Sequence, residues 1–412
     1  MRVARWITIG LLALSVCVSV AKGSNSVAGW SQGVNLHVRQ AGAFLRGELA
    51  VPGPGLDLAI HDGRSFVPFP PGPALVFLPV VALVGERPLV APGVCLALTF
   101  LSVATLLSIL RRLDVPREQH GWLGMAFFLG SGYWFALSFS EGVWHSALIV
   151  AVTALLLAIN ESLGRARPVI IGAWLGLALL SRHFTVMSLP FLACLAYERR
   201  RHDRRPAGLT EIALLLLPIA AAAGVHLLFD WLRFGSPWET GYRFIPLDGY
   251  EMVRRSAFGL FSPAYIPVNL FHLLVQGFHV SFDSANQMTN PQPDWFGTSL
   301  PAASPFILLA LWAPLRPTTK YAWAVVATMA LAQSMYYVNG AGQLNWQRYA
   351  LDYWPNLFIL VVSGFQAEAK SRRLALWKGA ITYSVGINAF VLVYFDVFAW
   401  FLRAWPQLFL PR

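Results

Sequence analysis

The sequence predicts an all-α, polytopic integral membrane protein with about eleven transmembrane helices. Further juxtamembrane or re-entrant helices are expected in its outer loops. Three observations carry this reading. Of the 412 residues, 56% are hydrophobic and only 12% are charged, against roughly 25% charged in a soluble domain. Apolar runs of span length recur along the chain, separated by short polar turns. The net charge of +11 comes from basic residues clustered between those runs, as membrane topology requires. A groove that tracks phosphates would line them up differently, so nucleic acid is not an expected partner. Cys17, Cys95 and Cys194 stand in apolar runs without paired spacing, which indicates neither a disulfide framework nor a metal site.

The elements follow in order. Residues 6–21 form an apolar run behind Arg2 and Arg5. It is either a first span or a cleaved leader whose Ser19 and Ala21 suit the small-residue rule. Residues 22–72 make a polar first loop with a helical patch near Val34 to Leu49. Leu36, Phe44, Leu45 and Leu49 of that patch are expected to rest on the membrane surface. Residues 73–84 are apolar but fall short of the roughly 20 needed to cross a bilayer, and read as a juxtamembrane or re-entrant helix. The expected spans then run at 89–110, 121–139, 143–160, 168–181, 184–197, 210–229, 300–315, 321–338, 350–366 and 379–402. A second long outer segment occupies 230–299, and the whole of 1–412 reads as a single polytopic membrane domain.

Charge tests this assignment. If 73–84 does not cross, one face receives Arg2 and Arg5, Arg111, Arg112 and Arg117, Arg165 and Arg167, Arg199 to Arg201 with Arg204 and Arg205, Arg316 and Lys320, and Lys370, Arg372, Arg373 and Lys378. The short loops of the opposite face hold only Arg182 and Arg348. Counting 73–84 as a crossing would reverse every later cluster. The outer face therefore gathers the first loop, residues 138–145, the break at 181–184, the segment 230–299, and residues 339–352. Chemistry is expected there.

The first loop ends DLAIHDGRSFVPFPPGPALVFLP (57–79). Asp62-Gly63 is a turn signal, and Pro68, Pro70, Pro71 and Pro73 forbid regular helix until about residue 73. Asp57, His61, Asp62 and Arg64 thus stand beside a membrane-embedded helix, where charge is costly and tends to be functional. A carboxylate there could take a proton from an acceptor hydroxyl; an arginine could hold a phosphate in a bidentate fork. The prolines are equally a rigid connector. Glu141 and His145, four apart, are expected on one helix face, as a structural hydrogen bond or a catalytic pair. Arg182-His183 is either the loop of a tight hairpin or a basic patch facing a phosphate. Tyr242, with Trp231 and Trp238, offers a ring for a sugar or belongs to an aromatic belt. Arg348 is a snorkelling anchor or a phosphate clamp. No GxSxG, P-loop, HExxH or CxxC motif occurs, which removes serine hydrolases, nucleotide-driven pumps and zinc proteases.

Three stretches together resemble the C-type glycosyltransferase superfamily, multi-spanning enzymes that use polyprenyl-phosphate sugars. They are DGRSFVPFPPGPALVFLPVVALVG (62–85), LRFGSPWETGYRF (232–244) followed by GLFSP (259–263), and QRYALDYWPNLF (347–358). The closer likeness is to the bacterial branch of protein mannosyltransferases, aminoarabinose transferases and rhizobial core-oligosaccharide transferases. The resemblance implies inverting transfer of a sugar from a polyprenyl-phosphate donor to a lipid, glycan or protein acceptor. The reaction would take place at the periplasmic face of a bacterial inner membrane, among membrane lipids. A first-loop acid would act as base, and basic residues would steady the departing phosphate. The chain departs from that pattern in two places. Residues 22–47 hold no acid where the branch places an aspartate, often in an acidic pair; Asn35 and His37 occupy that region. Phe69 stands where the aminoarabinose-transferring members have a lysine before the double proline.

Asp62 is the first choice for the base and Asp57 the second, with His37 or Glu48 as further alternatives. His61, Arg64, Arg182, His183, Glu141, His145, Tyr242 and Arg348 are the candidate substrate contacts. Members of the branch differ in metal use and the acidic pair is missing, so no cofactor is carried over and a divalent cation stays open. The rival readings are a transporter or lipid flippase, and an inactive cell-envelope scaffold of the same fold. Transporters typically show inverted repeats and broken helices meeting at the bilayer midplane, and neither pattern is present.

Overall fold

The computed structural model describes residues 33–394 except 54, 56, 206–207, 248, 283–291, 295, 340–344 and 370. The apolar run at 6–21 and the end of the last expected span lie outside the described residues. The chain is helical nearly throughout. In order come α1 (Leu36–Leu45), the strands β1 (Ala59–His61) and β2 (Arg64–Phe66), α2 (Gly72–Val84), α3 (Val90–Arg112), α4 (Arg117–Phe128) and α5 (Tyr133–Ser138). Then follow α6 (Val143–Leu163), α7 (Pro168–Leu179), a 3-10 turn at His183–Ser188, α8 (Leu189–His202) and α9 (Leu209–Phe234). The remainder holds α10 (Gly249–Phe258), α11 (Ile266–Leu274), the short strands β3 (Val280–Ser281) and β4 (Gln292–Pro293), and α12 (Leu300–Ala303). A 3-10 run at Pro305–Trp312, α13 (Pro317–Ser334), α14 (Trp354–Glu368) and α15 (Leu374–Val391) complete it.

Four of these helices are long and apolar enough to cross a membrane: Val90–Arg112, Val143–Leu163, Leu209–Phe234 and the last, Leu374–Tyr394. The protein is a multi-pass α-helical membrane protein. Several other expected spans are broken. The stretch at 121–139 is divided between α4 and α5, and 300–315 is a four-residue helix followed by 3-10 backbone. Pro168–Leu179 and Gly72–Val84 are shorter apolar helices; thirteen residues of α2 reach only about 20 Å at 1.5 Å per residue.

Contacts divide the chain into two compact units. The first comprises Ser19–Asp114 and Leu137–Gly249. Within it α7 crosses α9 closely through Gly172 and Gly176, four apart on one face. A Cβ on Gly172 would lie 2.2 Å from the Leu215 carbonyl, and one on Gly176 3.0 Å from the Ala222 Cβ. That is the small-residue contact that lets membrane helices approach backbone to backbone.

The α1 helix corrects an expectation. Leu36 through Ala43 are buried, including His37, Arg39 and Gln40, so the helix is enclosed rather than floating on a lipid surface. It packs along α2, and Arg46 past its end bonds Glu86 past the end of α2 at 2.7 Å.

The second unit comprises Val115–Ala136 and Tyr250–Arg412. Its interior closes on Trp346. The indole nitrogen donates to Ser304 Oγ at 2.8 Å, and that hydroxyl donates to the Gly130 carbonyl at 2.5 Å. Gly132 must be glycine here, since a Cβ would stand 2.3 Å from the Trp346 ring. Asn345 donates to Asn388 (2.6 Å), Asn388 to the Leu129 carbonyl (3.2 Å), and Gln347 to the Phe296 carbonyl (2.8 Å). These buried amides meet the rule that buried polar groups find partners.

Candidate functional site

The Asp62-Gly63 turn joins β1 to β2 as a two-residue hairpin. Both residues have positive φ, 49° and 71°, as a type I′ turn requires. His61 pairs with Arg64, and Ala59 with Phe66. The turn was legible in the Asp-Gly pair but the strands were not, because three-residue strands are too short to show alternation. One hairpin face is aromatic and fastened to the end of α9. Ala59 and Phe66 are buried with Phe234 and Ile245, and the His61 ring lies 4.4 Å from Phe244 and 5.8 Å from Phe234. Asp62 sits at the tip with its side chain 86% exposed, its carboxylate 3.4 Å from His61 Nε2. Asp57 is half-buried at a left-handed position, φ 63°.

Behind the hairpin the prolines do what their φ restriction dictates. They keep the chain from Val67 to Pro70 out of regular helix, and Pro71, already at helical backbone angles, caps α2, which begins at Gly72. The Gly72 N–H donates to the Leu180 carbonyl at 2.7 Å. A Cβ on Gly72 would stand 2.6 Å from that oxygen, so only glycine permits the approach. Leu180 ends α7, and Arg182 follows as the extended cap of the His183–Ser188 turn. The short apolar helix is thus stapled next to the Arg182-His183 break.

That break meets α9 in a cluster that sequence reading missed. His183 Nε2 lies 2.7 Å from His226 Nε2. His226 Nε2 is 3.4 Å from Asp230 Oδ2, one helical turn on. Arg233 bonds the other Asp230 oxygen at 2.5 Å and donates to the Val67 carbonyl of the hairpin exit. Its guanidinium lies 3.7 Å from the Phe229 ring centre and 4.7 Å from that of Phe234. Asp230 and Arg233 are buried. Burial, together with His226, Arg182 and Arg233, holds the His183 imidazole well below its ordinary pKa. The signal was present in the sequence: His226, Asp230 and Arg233 fall at i, i+4 and i+7, on one face of an apolar helix. Ending the expected span at residue 229 put the last two in a loop and hid it.

The remaining candidates fall as follows. Glu141 precedes α6, which starts at Val143, so Glu141 and His145 do not share a helix face as expected. Gly142 takes the cap position between them, so the helix begins after Glu141. The Glu141 carbonyl instead accepts from Asn35 Nδ2 at 3.1 Å, and Asn35 also reaches Ser146 Oγ at 3.0 Å. Asn35 thereby caps α1 and ties it to this turn, while His37 Nδ1 bonds Gln40 Oε1 at 3.3 Å. Burial pushes His37 down to about 4. Tyr242 packs on Phe69 at 5.9 Å, and Phe69 on His37 at 6.2 Å. Asp57, His61, Asp62, Arg64, Glu141, His145, Arg182, His183 and Tyr242 therefore all belong to the first unit. Arg348 belongs to the second, where it is buried rather than a water-seeking anchor. No group of three or more His, Cys, Asp or Glu among the described residues is arranged to hold a metal ion.

Comparison with known proteins adds the following. No family profile and no curated protein matches the sequence. Among solved structures the chain is similar to ArnT from Cupriavidus metallidurans bound to undecaprenyl phosphate, at 15% identity and a TM-score of 0.47, over 87% of this chain and 60% of that one. It is also similar to the oligosaccharyltransferase of Archaeoglobus fulgidus in its apo form, at 14% identity and a TM-score of 0.42, over 94% of this chain and 55% of that one. The chain spans about three fifths of the length of these proteins.

Proposed function

We propose that this protein is a membrane transferase that moves a sugar from a polyprenyl-phosphate carrier to a lipid, glycan or protein acceptor, with inversion, at the periplasmic side of a bacterial inner membrane. The observation that carries it is the junction at Gly72. There a half-depth apolar helix, a cationic break and an ionisable cluster are fastened together within one unit. A substrate with a phosphate head and a hydrocarbon tail needs those two surfaces side by side. Arg182 holds the phosphate and α2 borders the tail. In the reaction the acceptor hydroxyl attacks the anomeric carbon as the bond from that carbon to the phosphate oxygen breaks. The bonding pair leaves with the carrier phosphate. The hydroxyl proton goes to a carboxylate of the hairpin segment, Asp62 or Asp57, and Arg64 is a further cation for the departing charge. Tyr242 offers its ring to the sugar.

The test is reconstitution in liposomes with farnesyl-phosphate sugars and an extract of envelope lipids as acceptor. Acceptor-dependent release of farnesyl phosphate, lost in Asp62→Asn or Asp57→Asn, is the expected result. Carrier crossing the bilayer with its sugar bond intact would make the protein a flippase. Neither release nor movement with any sugar would leave the scaffold reading.

A further inference from the structure

The protons of the His183–His226–Asp230 cluster can be placed from its geometry. Asp230 Oδ2 accepts only, and it lies 3.4 Å from the same His226 nitrogen that meets His183 Nε2 at 2.7 Å. A bare His226 Nε2 would set a lone pair against the carboxylate. A protonated one donates to both neighbours. The second nitrogen agrees independently. His226 Nδ1 is buried with no hydrogen-bond partner, and a bare acceptor there costs less than an orphaned N–H. The His226 hydrogen is therefore on Nε2, His183 Nε2 accepts it, and the neutral His183 ring carries its own hydrogen on Nδ1.

This matters for the chemistry next door. A phosphate monoester needs donors around it. With its hydrogen on Nδ1, His183 adds an N–H to the Arg182 guanidinium without adding a second buried charge. The Asp230–Arg233 pair is closed on itself and on the Val67 carbonyl, so it anchors the arrangement and adds no net charge. We propose that His226, backed by Asp230, is a positioning residue that holds His183 as a donor, so that the Arg182-His183 break binds the phosphate monoester head of a lipid carrier. The proposal rests on the transferase reading and deepens it by naming what sets the phosphate site.

The experiment titrates farnesyl phosphate, farnesol and inorganic phosphate into the full chain in detergent, for the wild type, His226→Leu and His226→Gln. Histidine ¹⁵N spectra report the His183 tautomer. The wild type is expected to prefer farnesyl phosphate to both controls, with His183 protonated on Nδ1. His226→Leu should weaken farnesyl phosphate about tenfold and leave farnesol unchanged. His226→Gln, whose amide can still donate to His183 Nε2, should recover most of the loss. The positioning role is overturned if His226→Leu binds like the wild type, if His226→Gln is as weak as His226→Leu, or if farnesol binding and thermal stability fall in step. A His183 hydrogen on Nε2 also overturns it. Inorganic phosphate binding as tightly as farnesyl phosphate overturns the lipid source. A wild type with phosphate preference but no dependence on His226 leaves the transferase reading standing; a wild type that binds neither phosphate ligand sinks both.

Discussion

The network around Trp346 in the second unit and the cluster behind the hairpin in the first bury polarity in different ways. Around Trp346 the second unit uses neutral amides, a hydroxyl and an indole, each closed on a partner that cannot titrate. Behind the hairpin the first unit buries an ion pair and two imidazoles, one of which stays 12% exposed. Neutral networks fix shape at little cost, whereas buried charge is expensive and survives where it does something. The contrast teaches where to look for chemistry.

Removing a charge should therefore hurt more than removing a neutral bond. Asp230→Leu leaves Arg233 buried without its counter-ion, and unfolding in detergent should show a loss of about 3–5 kcal/mol. Acid should act on the first unit next. Folding lowers His37 from 6.5 to about 4, so the unfolded chain binds more protons between those values. Its contribution is complete above pH 6.5 and is lost as pH falls toward 4, roughly 3 kcal/mol in all. His37→Gln should flatten that limb of a melting-temperature profile. Gly72→Ala forces the Leu180 carbonyl away and should cost about 1–3 kcal/mol, with weaker farnesyl phosphate binding as its second sign. Trp346→Phe removes one neutral bond and should cost only about 1 kcal/mol; a loss as large as that of Asp230→Leu would erase the contrast. Smallest of all, Arg46→Gln breaks an ion pair whose side chains are 43% and 28% exposed, and should change stability by under about 1 kcal/mol.

Composition and charge clusters made the helical membrane class legible, and the prolines before residue 73 gave the start of α2 to within a residue. Breaks inside apolar runs were not legible, because α5 and the 3-10 stretch at Pro305–Trp312 are as hydrophobic as helices that continue. The enclosure of α1 was also hidden. His37, Arg39 and Gln40 are polar side chains that only tertiary contacts turn inward. The hairpin residues were found as charges near a turn. His226, Asp230 and Arg233 were missed because the span was expected to end at residue 229, five residues before the helix does.

Between Val67, whose carbonyl Arg233 holds, and Gly72, whose amide Leu180 holds, runs a piece of backbone stiffened by prolines at 68, 70 and 71. Pinned at both ends, it behaves as a strut rather than a hinge. A molecule that pushed α2 aside would displace the hairpin tip and the Arg182 break by the same stroke, so entry of a lipid tail on one side would be felt at the polar end without any separate moving part.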